Sequence, residues 1–160
     1  MEPVWTHEAS AAYAACALDT DGWIGITITK REEPQAFALS LGVSNQNRDF
    51  LLRVAGICGV PPNIGASTPA GRDSRGVVTK KQCYQAYWRS PLHVVKVLSI
   101  ALPFIVIKRQ QAELVLEYAA SRITENGHPK RGRNFPYTDR QREIAHEVWA
   151  LNHPDSPVHA

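Results

Sequence analysis

The chain predicts one α+β domain, with helices covering one face of a four-stranded antiparallel sheet. Two observations carry this. Alternating segments at 23–30 and 37–43, and again at 64–68 and 83–89, form two strand pairs, each interrupted by a polar, turn-rich stretch. Segments with helical spacing precede, separate and follow the pairs, so the order is αββαββα with extra helices at the end. A length of 160 residues suits one sizeable core and is too short for two ordinary domains. Apolar residues at 44% and charged residues at 21% are globular values, which exclude disordered and collagen-like chains.

Each element has a local reason. Thr6 is an N-cap and Glu8 lies in the first turn of an alanine-rich helix running to Leu18. Its small side chains would let another backbone approach closely, although alanine is also simply the best helix former. The helix stops at Asp19-Thr20-Asp21-Gly22. From Trp23 to Lys30, Ile24, Ile26 and Ile28 fall on one face and Trp23, Gly25, Thr27 and Thr29 on the other, the pattern of a half-buried strand. Glu32, Glu33 and Pro34 turn the chain into a second strand with Phe37, Leu39, Leu41 and Val43 inward. Asn47 caps a helix with an apolar stripe of Leu51, Val54, Ala55 and Cys58, closed by Gly59. Ile64, Ala66 and Thr68 alternate, a Gly/Arg/Asp/Ser loop spans 71–76, and Cys83 to Arg89 is the fourth strand. Ser90-Pro91 places an N-cap before proline at the first helical position, opening a helix to about Leu102. After Pro103 another helix runs from about Ile107 to Ile123 with Glu113 and Glu117 outward, and Thr138 caps a last short one.

The sheet face left uncovered by helices would show Trp23, Gly25, Thr27, Thr29, Ser40, Gln85, Tyr87 and Arg89. Such a mixture suits a surface that reads base edges and phosphates, and it equally suits a solvated sheet face. Net charge is +3, but its distribution is uneven. Residues 1–22 carry Glu2, Glu8, Asp19 and Asp21 without a Lys or Arg, whereas 72–89 carry Arg72, Arg75, Lys80, Lys81 and Arg89 against Asp73 alone. HPKRGRN at 128–134 is also basic. An acidic pole with separate basic segments fits a phosphate-backbone partner beside a carboxylate site, or plain surface loops.

Several classes are excluded. Cys16, Cys58 and Cys83 are scattered, which argues against a disulfide framework or cysteine zinc site and points to a reducing, intracellular compartment, cytoplasm or organelle alike. No apolar run reaches a membrane span, since Val94 to Ile107 is broken by Lys96, Ser99 and Pro103, and the N-terminus lacks a signal-peptide pattern. His146-Glu147 lacks the second His of H-E-x-x-H, and there is no P-loop, G-x-S-x-G or G-x-G-x-x-G.

The sharpest feature is AACALDTDG, residues 14–22, at the end of an apolar helix and the start of a strand. With VSNQNRDFLLRV (43–54), CYQAYWRSPLHVVKVL (83–98) and PFIVIKRQQAELVLEY (103–118), it resembles the LAGLIDADG homing endonuclease family over residues 7–122. Ala15, Asp19, Asp21 and Gly22 keep the family pattern; Ala14, Cys16, Ala17, Leu18 and Thr20 depart from it. Cys16 stands where the family has glycine between two face-to-face helices, and is still small. Residues 1–124 would form the endonuclease domain and 125–160 an extension packed on it.

The resemblance implies a site-specific double-strand DNA endonuclease with a long pseudo-palindromic target. One motif per chain implies a homodimer packed through Ala11, Ala12, Ala14, Ala15, Cys16, Leu18 and Asp19, with Asp19 itself structural. Phosphodiester hydrolysis needs an in-line water, a divalent cation and charge stabilisation. Mg²⁺ suits hard oxygen ligands and few carboxylates. The implied ligands are Asp21 and the carbonyl of Thr20; Mn²⁺ would substitute, and Ca²⁺ would bind without supporting cleavage. Lys108 falls on the family's active-site lysine, Asn45 on its water-organising amide, and Arg48 would serve nearby. Base contacts fall to Thr27, Thr29, Gln85, Tyr87 and Arg89, and phosphate or loop contacts to Arg31, Arg72, Arg75, Lys80 and Lys81. KRGR (130–133) and the last helix would clamp flanking DNA or brace the core. Neither a membrane nor a small-molecule substrate is expected.

Three other readings compete. Asp19-x-Asp21-Gly is also ordinary helix-end turn chemistry. The D-x-D-G of haloacid dehalogenase phosphatases needs a β-branched strand before it and Thr after the Gly, where this chain has an alanine-rich helix and Trp23. The serious alternative is a non-cleaving DNA-binding or intron RNA-splicing relative on the same fold, against which Asp21, Gly22 and Lys108 are all retained.

Overall fold

A computed structural model describes residues 5–29, 35–68, 71–72, 78–79, 82–130 and 135–155, with side chains at 67–68, 71–72 and 78–79 excepted. Helix α1 (His7–Thr20) leads into strands β1 (Gly22–Thr29) and β2 (Ala36–Asn45), then α2 (Arg48–Cys58). Strand β3 (Asn63–Thr68), the short pair β4 (Gly71–Arg72) and β5 (Val78–Thr79), and β6 (Cys83–Trp88) follow. The chain closes with α3 (Pro91–Ala101), a 3₁₀ turn at Leu102–Phe104, α4 (Arg109–Ser121) and α5 (Asp139–Asn152). Strands β1, β2, β6 and β3, in that spatial order, make an antiparallel four-stranded sheet, the α+β architecture that the sequence predicts. The 71–76 stretch expected as a loop instead contributes strand β4, which pairs Gly71 with Thr79 and Arg72 with Val78.

The alternation read from β1 and β2 puts Ile24, Ile26, Phe37, Leu39, Leu41 and Val43 into the core against Leu18, Leu51, Val54, Trp88, Leu98 and Val115. Capping follows the local chemistry at three helices. Thr6 accepts from Ala9 N–H, Asn47 from Asp49 and Phe50 N–H, and Thr138 forms a capping box with Gln141. Gly59 ends α2 at φ 60°, a left-handed conformation suited to glycine. Ser90 occupies the N-cap position of α3 without a side-chain bond; its carbonyl accepts from Val94 N–H instead. The last helix is longer than a short tail element. Ile144, Ala145 and Val148 of α5 are buried in the same core, and Asn152 Nδ2 donates to the Ile24 carbonyl at 3.0 Å, covering part of the β1 edge.

Asp19 organises the end of α1. Its Oδ2 accepts from the N–H of Val106 at 2.7 Å and of Ile107 at 3.2 Å, and its Oδ1 from the N–H of Lys108 at 3.0 Å. Those residues were expected to start a helix at about Ile107, but α4 begins at Arg109. Three consecutive amides point at a carboxylate 87 to 89 positions earlier, and the regular turn forms only after them. Burial disfavours the Asp19 carboxylate anion, but these three N–H groups and the Lys108 charge outweigh it and hold the group below the usual carboxylate range.

Gly22 opens β1 at the tight turn out of α1. A Cβ there would sit 2.6 Å from the Leu18 carbonyl oxygen, 2.7 Å from Leu18 Cα and 2.8 Å from the Gly42 oxygen, all backbone atoms that cannot step aside. Gly22→Ala is therefore expected to destabilise the fold by about 2–3 kcal/mol in urea unfolding. Gly56→Ala, at an exposed position of α2 with nothing within 4 Å, should stabilise it by up to about 1 kcal/mol. The Asp19 clasp predicts a pH signature. Its folded pKa is depressed, so its contribution is present above the unfolded value of about 4 and is lost as pH falls through the lower folded value. Urea unfolding at a series of pH values should show the stability gap between the wild-type protein and Asp19→Asn shrinking steadily from pH 5 to pH 2.

Candidate active site

Asp21 sits at the junction where α1 stops and β1 begins. Its N–H donates to the Ala17 carbonyl, its own carbonyl accepts from Ser44 N–H at 3.1 Å, and its carboxylate is exposed. Asn45, at the end of β2, donates from Nδ2 to Asp21 Oδ2 at 3.2 Å. The amide's orientation is set from its other side, because Asn45 Oδ1 accepts from Asn47 N–H at 2.9 Å. Asn47 in turn caps α2, so the start of that helix, the end of β2 and the carboxylate are linked by consecutive hydrogen bonds.

Lys108 approaches from the opposite side of the chain. Its Nζ donates to the carbonyls of Leu18 at 2.8 Å and Gly22 at 2.7 Å, the groups that straddle Asp21. A cation at the α1 C-terminus answers the negative end of the helix dipole. Burial lowers the Lys108 pKa, while the charges of Asp19 and Asp21 pull it back up. An ammonium has three donors; two are engaged here, and one is left for a water or a phosphate oxygen. The structure thus brings Asp21, Asn45 and Lys108 together. Thr20 adjoins them, its hydroxyl donating back to the Cys16 carbonyl at 2.8 Å. Arg48 is exposed at the first position of α2, and none of the hydrogen bonds described joins it to the group.

The outer sheet face is shaped by Trp23, whose Nε1 donates to Ser40 Oγ at 2.9 Å. The indole lies over Gly42, where a Cβ would fall 2.4 Å from the ring. Trp23, Ser40, Gly65, Gln85, Tyr87 and Arg89 line a shallow depression of about 230 Å³. The Arg89 guanidinium stacks 4.9 Å from the Tyr87 ring centroid. Thr27 is exposed, but the Thr29 hydroxyl is occupied, donating to the Ala36 carbonyl and accepting its N–H. Gly25 is covered, with Asn152 Nδ2 3.1 Å from where its Cβ would be. Arg31, Arg75, Lys80 and Lys81 lie outside the described residues, as does the side chain of Arg72.

The residues expected at a dimer face differ in exposure within the single chain. Ala11, Ala14, Ala15 and Leu18 are buried within this chain, and Asp19 is engaged by residues 106–108. Their side chains pack in the protomer's own interior. Of the residues expected there, only Ala12 and Cys16 remain accessible, on a stripe that continues to Thr20 at helical spacing. Reading the sequence also missed the Asn47 brace and the Asn152 cover. Asn47 carried a local signal as a helix cap two residues after Asn45; Asn152 carried none, since its partner is 128 positions away.

No protein-family model matches the chain, and no curated protein sequence matches it. Solved structures do. The homing endonuclease I-CvuI, in complex with the I-CreI target in 2 mM Mg with the DNA not cleaved, is 18% identical, with a TM-score of 0.59 over 96% of this chain and 87% of that one. The archaeal intron-encoded homing endonuclease I-Vdi141I, complexed with DNA, is 14% identical, with a TM-score of 0.55 over 91% of this chain and 99% of that one. The LAGLIDADG homing endonuclease I-GzeII, in complex with its DNA target, is 12% identical, with a TM-score of 0.57 over 88% of this chain and only 43% of that one. At these identities the likeness is one of architecture: the chain has the fold of the LAGLIDADG homing endonucleases.

Proposed function

We propose that the protein is a site-specific, divalent-metal-dependent double-strand DNA endonuclease that acts as a homodimer. The observation that carries this reading is the convergence of Asp21, Asn45 and Lys108 at one end of the sheet, on a fold shared with endonucleases complexed with DNA. The donor set fits Mg²⁺. Among the described residues no group of three or more His, Cys, Asp or Glu side chains forms a cage. An exposed carboxylate beside a helix-end carbonyl, Asp21 with Thr20, suits an ion that keeps waters and shares substrate phosphates. When bound, such an ion activates a water and stabilises the leaving oxygen.

The chain's own residues do the rest. Asn45 holds the Asp21 carboxylate in one orientation. Lys108, fixed by the Leu18 and Gly22 carbonyls, places its remaining N–H and its charge where negative charge builds on the scissile phosphate. Gln85, Tyr87 and Arg89 on the outer sheet face would meet base edges and backbone.

A homodimer follows from one motif per chain. The coverage figures support it, because a chain of this size matches nearly all of some DNA-bound relatives and less than half of I-GzeII. The stripe of Ala12, Cys16 and Thr20 would lie at the two-fold axis.

Incubation of a randomised duplex library with the protein should yield cuts in Mg²⁺ or Mn²⁺ and none in Ca²⁺, with a roughly palindromic consensus about two helical turns long. Asp21→Asn should abolish cutting while the variant still binds the selected duplex. Cutting by the variant at the normal rate would remove Asp21 from its role, and binding of DNA by the wild type without any cutting would favour a non-cleaving module. The mass of the complex in solution should equal two chains plus one duplex; a stable monomer on DNA would remove the two-fold geometry.

A further inference from the structure

Strand β6 ends at Trp88, opposite Leu41, while β2 continues outward to Ala36. Beyond that point β2 borders an open notch, braced by two tyrosines. The hydroxyls of Tyr118 and Tyr137 both donate to the Phe37 carbonyl at 3.3 Å, and the Tyr137 oxygen accepts from Phe37 N–H. The notch is a cavity of about 170 Å³ whose lining, among the described residues, includes Arg89, Arg122 and Lys130 and no carboxylate. It is smaller than the sites that take drug-sized ligands.

Among the described residues the charge balance of this cavity is one-sided. Arg122 is only 7% exposed, yet its guanidinium meets the carbonyls of Phe135 and Lys130 and the ring face of Tyr137, 4.7 Å from the centroid. Lys130 Nζ donates to the Ser121 carbonyl, and Arg89 stacks on Tyr87. Among the described residues none of the three cations pairs with an acid. Carbonyl dipoles and aromatic faces solvate such charges without neutralising them, and a nearly buried guanidinium is costly without a counter-ion. Three cations lining a small cavity match a tetrahedral oxyanion, for which arginine's planar fork is well suited.

We propose that this cavity seats one phosphate group, and that it is a backbone phosphate of the duplex lying on the sheet. Arg89 forms a wall of both this cavity and the outer-face depression, so the two are neighbours. Phe37 lies six residues along β2 from Val43, the partner of Gly22, which places the cavity about 20 Å from Asp21 along the strand. A phosphate held there would anchor the flank of each half-site. The source of the phosphate rests on the DNA-cutting reading above; the phosphate site does not.

The test uses the full chain and Lys130→Gln, whose unfolding in chloride buffer should match that of the wild type. Inorganic phosphate, followed by ³¹P line broadening, should respond to the wild-type protein and far less to the variant. The salt dependence of binding to a random-sequence 30-bp duplex should fall by about one unit of slope per chain in the variant. Broadening with an unchanged duplex slope would overturn the duplex as source and assign the cavity to a free phosphate-bearing ligand. No broadening and no slope change, with duplex binding intact, would overturn the phosphate site and leave the nuclease reading standing. No duplex binding by either protein would overturn the nuclease reading, and the ³¹P arm would then decide the cavity alone.

Discussion

Asp19 takes three consecutive backbone N–H groups from residues 106–108 onto one carboxylate, and the geometry of the site depends on that clasp. It fastens the end of α1 to the segment leading into α4. Lys108 is thereby held with its main chain against Asp19 and its ammonium against the carbonyls of Leu18 and Gly22. The adjacent carboxylate, Asp21, is left exposed with one amide donor. Two acidic residues two positions apart thus have opposite environments. One is saturated by its own chain, and the other presents oxygen to whatever approaches the sheet.

The tight turn at Gly22 serves the same arrangement. A glycine that lets the chain turn tightly from α1 into β1, packed against the Gly42 oxygen of β2, brings the last carbonyls of the helix, Asp21 and the end of β2 to one place. The Asn47–Asn45–Asp21 chain of hydrogen bonds then transmits the position of α2 to the carboxylate. These contacts are short, polar and backbone-anchored, the kind that hold catalytic groups in register.

Much of this was legible in the sequence because it is local. The alternation of β1 and β2, the caps Thr6, Asn47 and Thr138, and Gly59 at a helix end are set by neighbours within a few residues. Proximity of Asp21, Asn45 and Lys108 was legible only through resemblance to a family, since no periodicity connects residue 21 to residue 108. What failed was set by tertiary contact. The start of α4 moved because Asp19 occupies the amides before it, a contact made 87 to 89 positions away. Small residues on a helix announce a close approach without saying which neighbour makes it. The cavity around Arg122 gave no linear sign, because residues 37, 89, 118, 122 and 130 meet only where one strand outruns the next.

The clasp is tested most directly by native-state hydrogen exchange at the amides of Val106, Ile107 and Lys108. Val106 and Ile107 are 79% and 73% exposed, so an unclasped loop would exchange there quickly. If Asp19 ties this segment to the core, the three amides should exchange only with the global unfolding that releases α1 and β1. Rapid exchange at 106–108 while α1 and β1 stay protected would show that the clasp opens independently, and the positioning of Lys108 beside Asp21 would lose its basis.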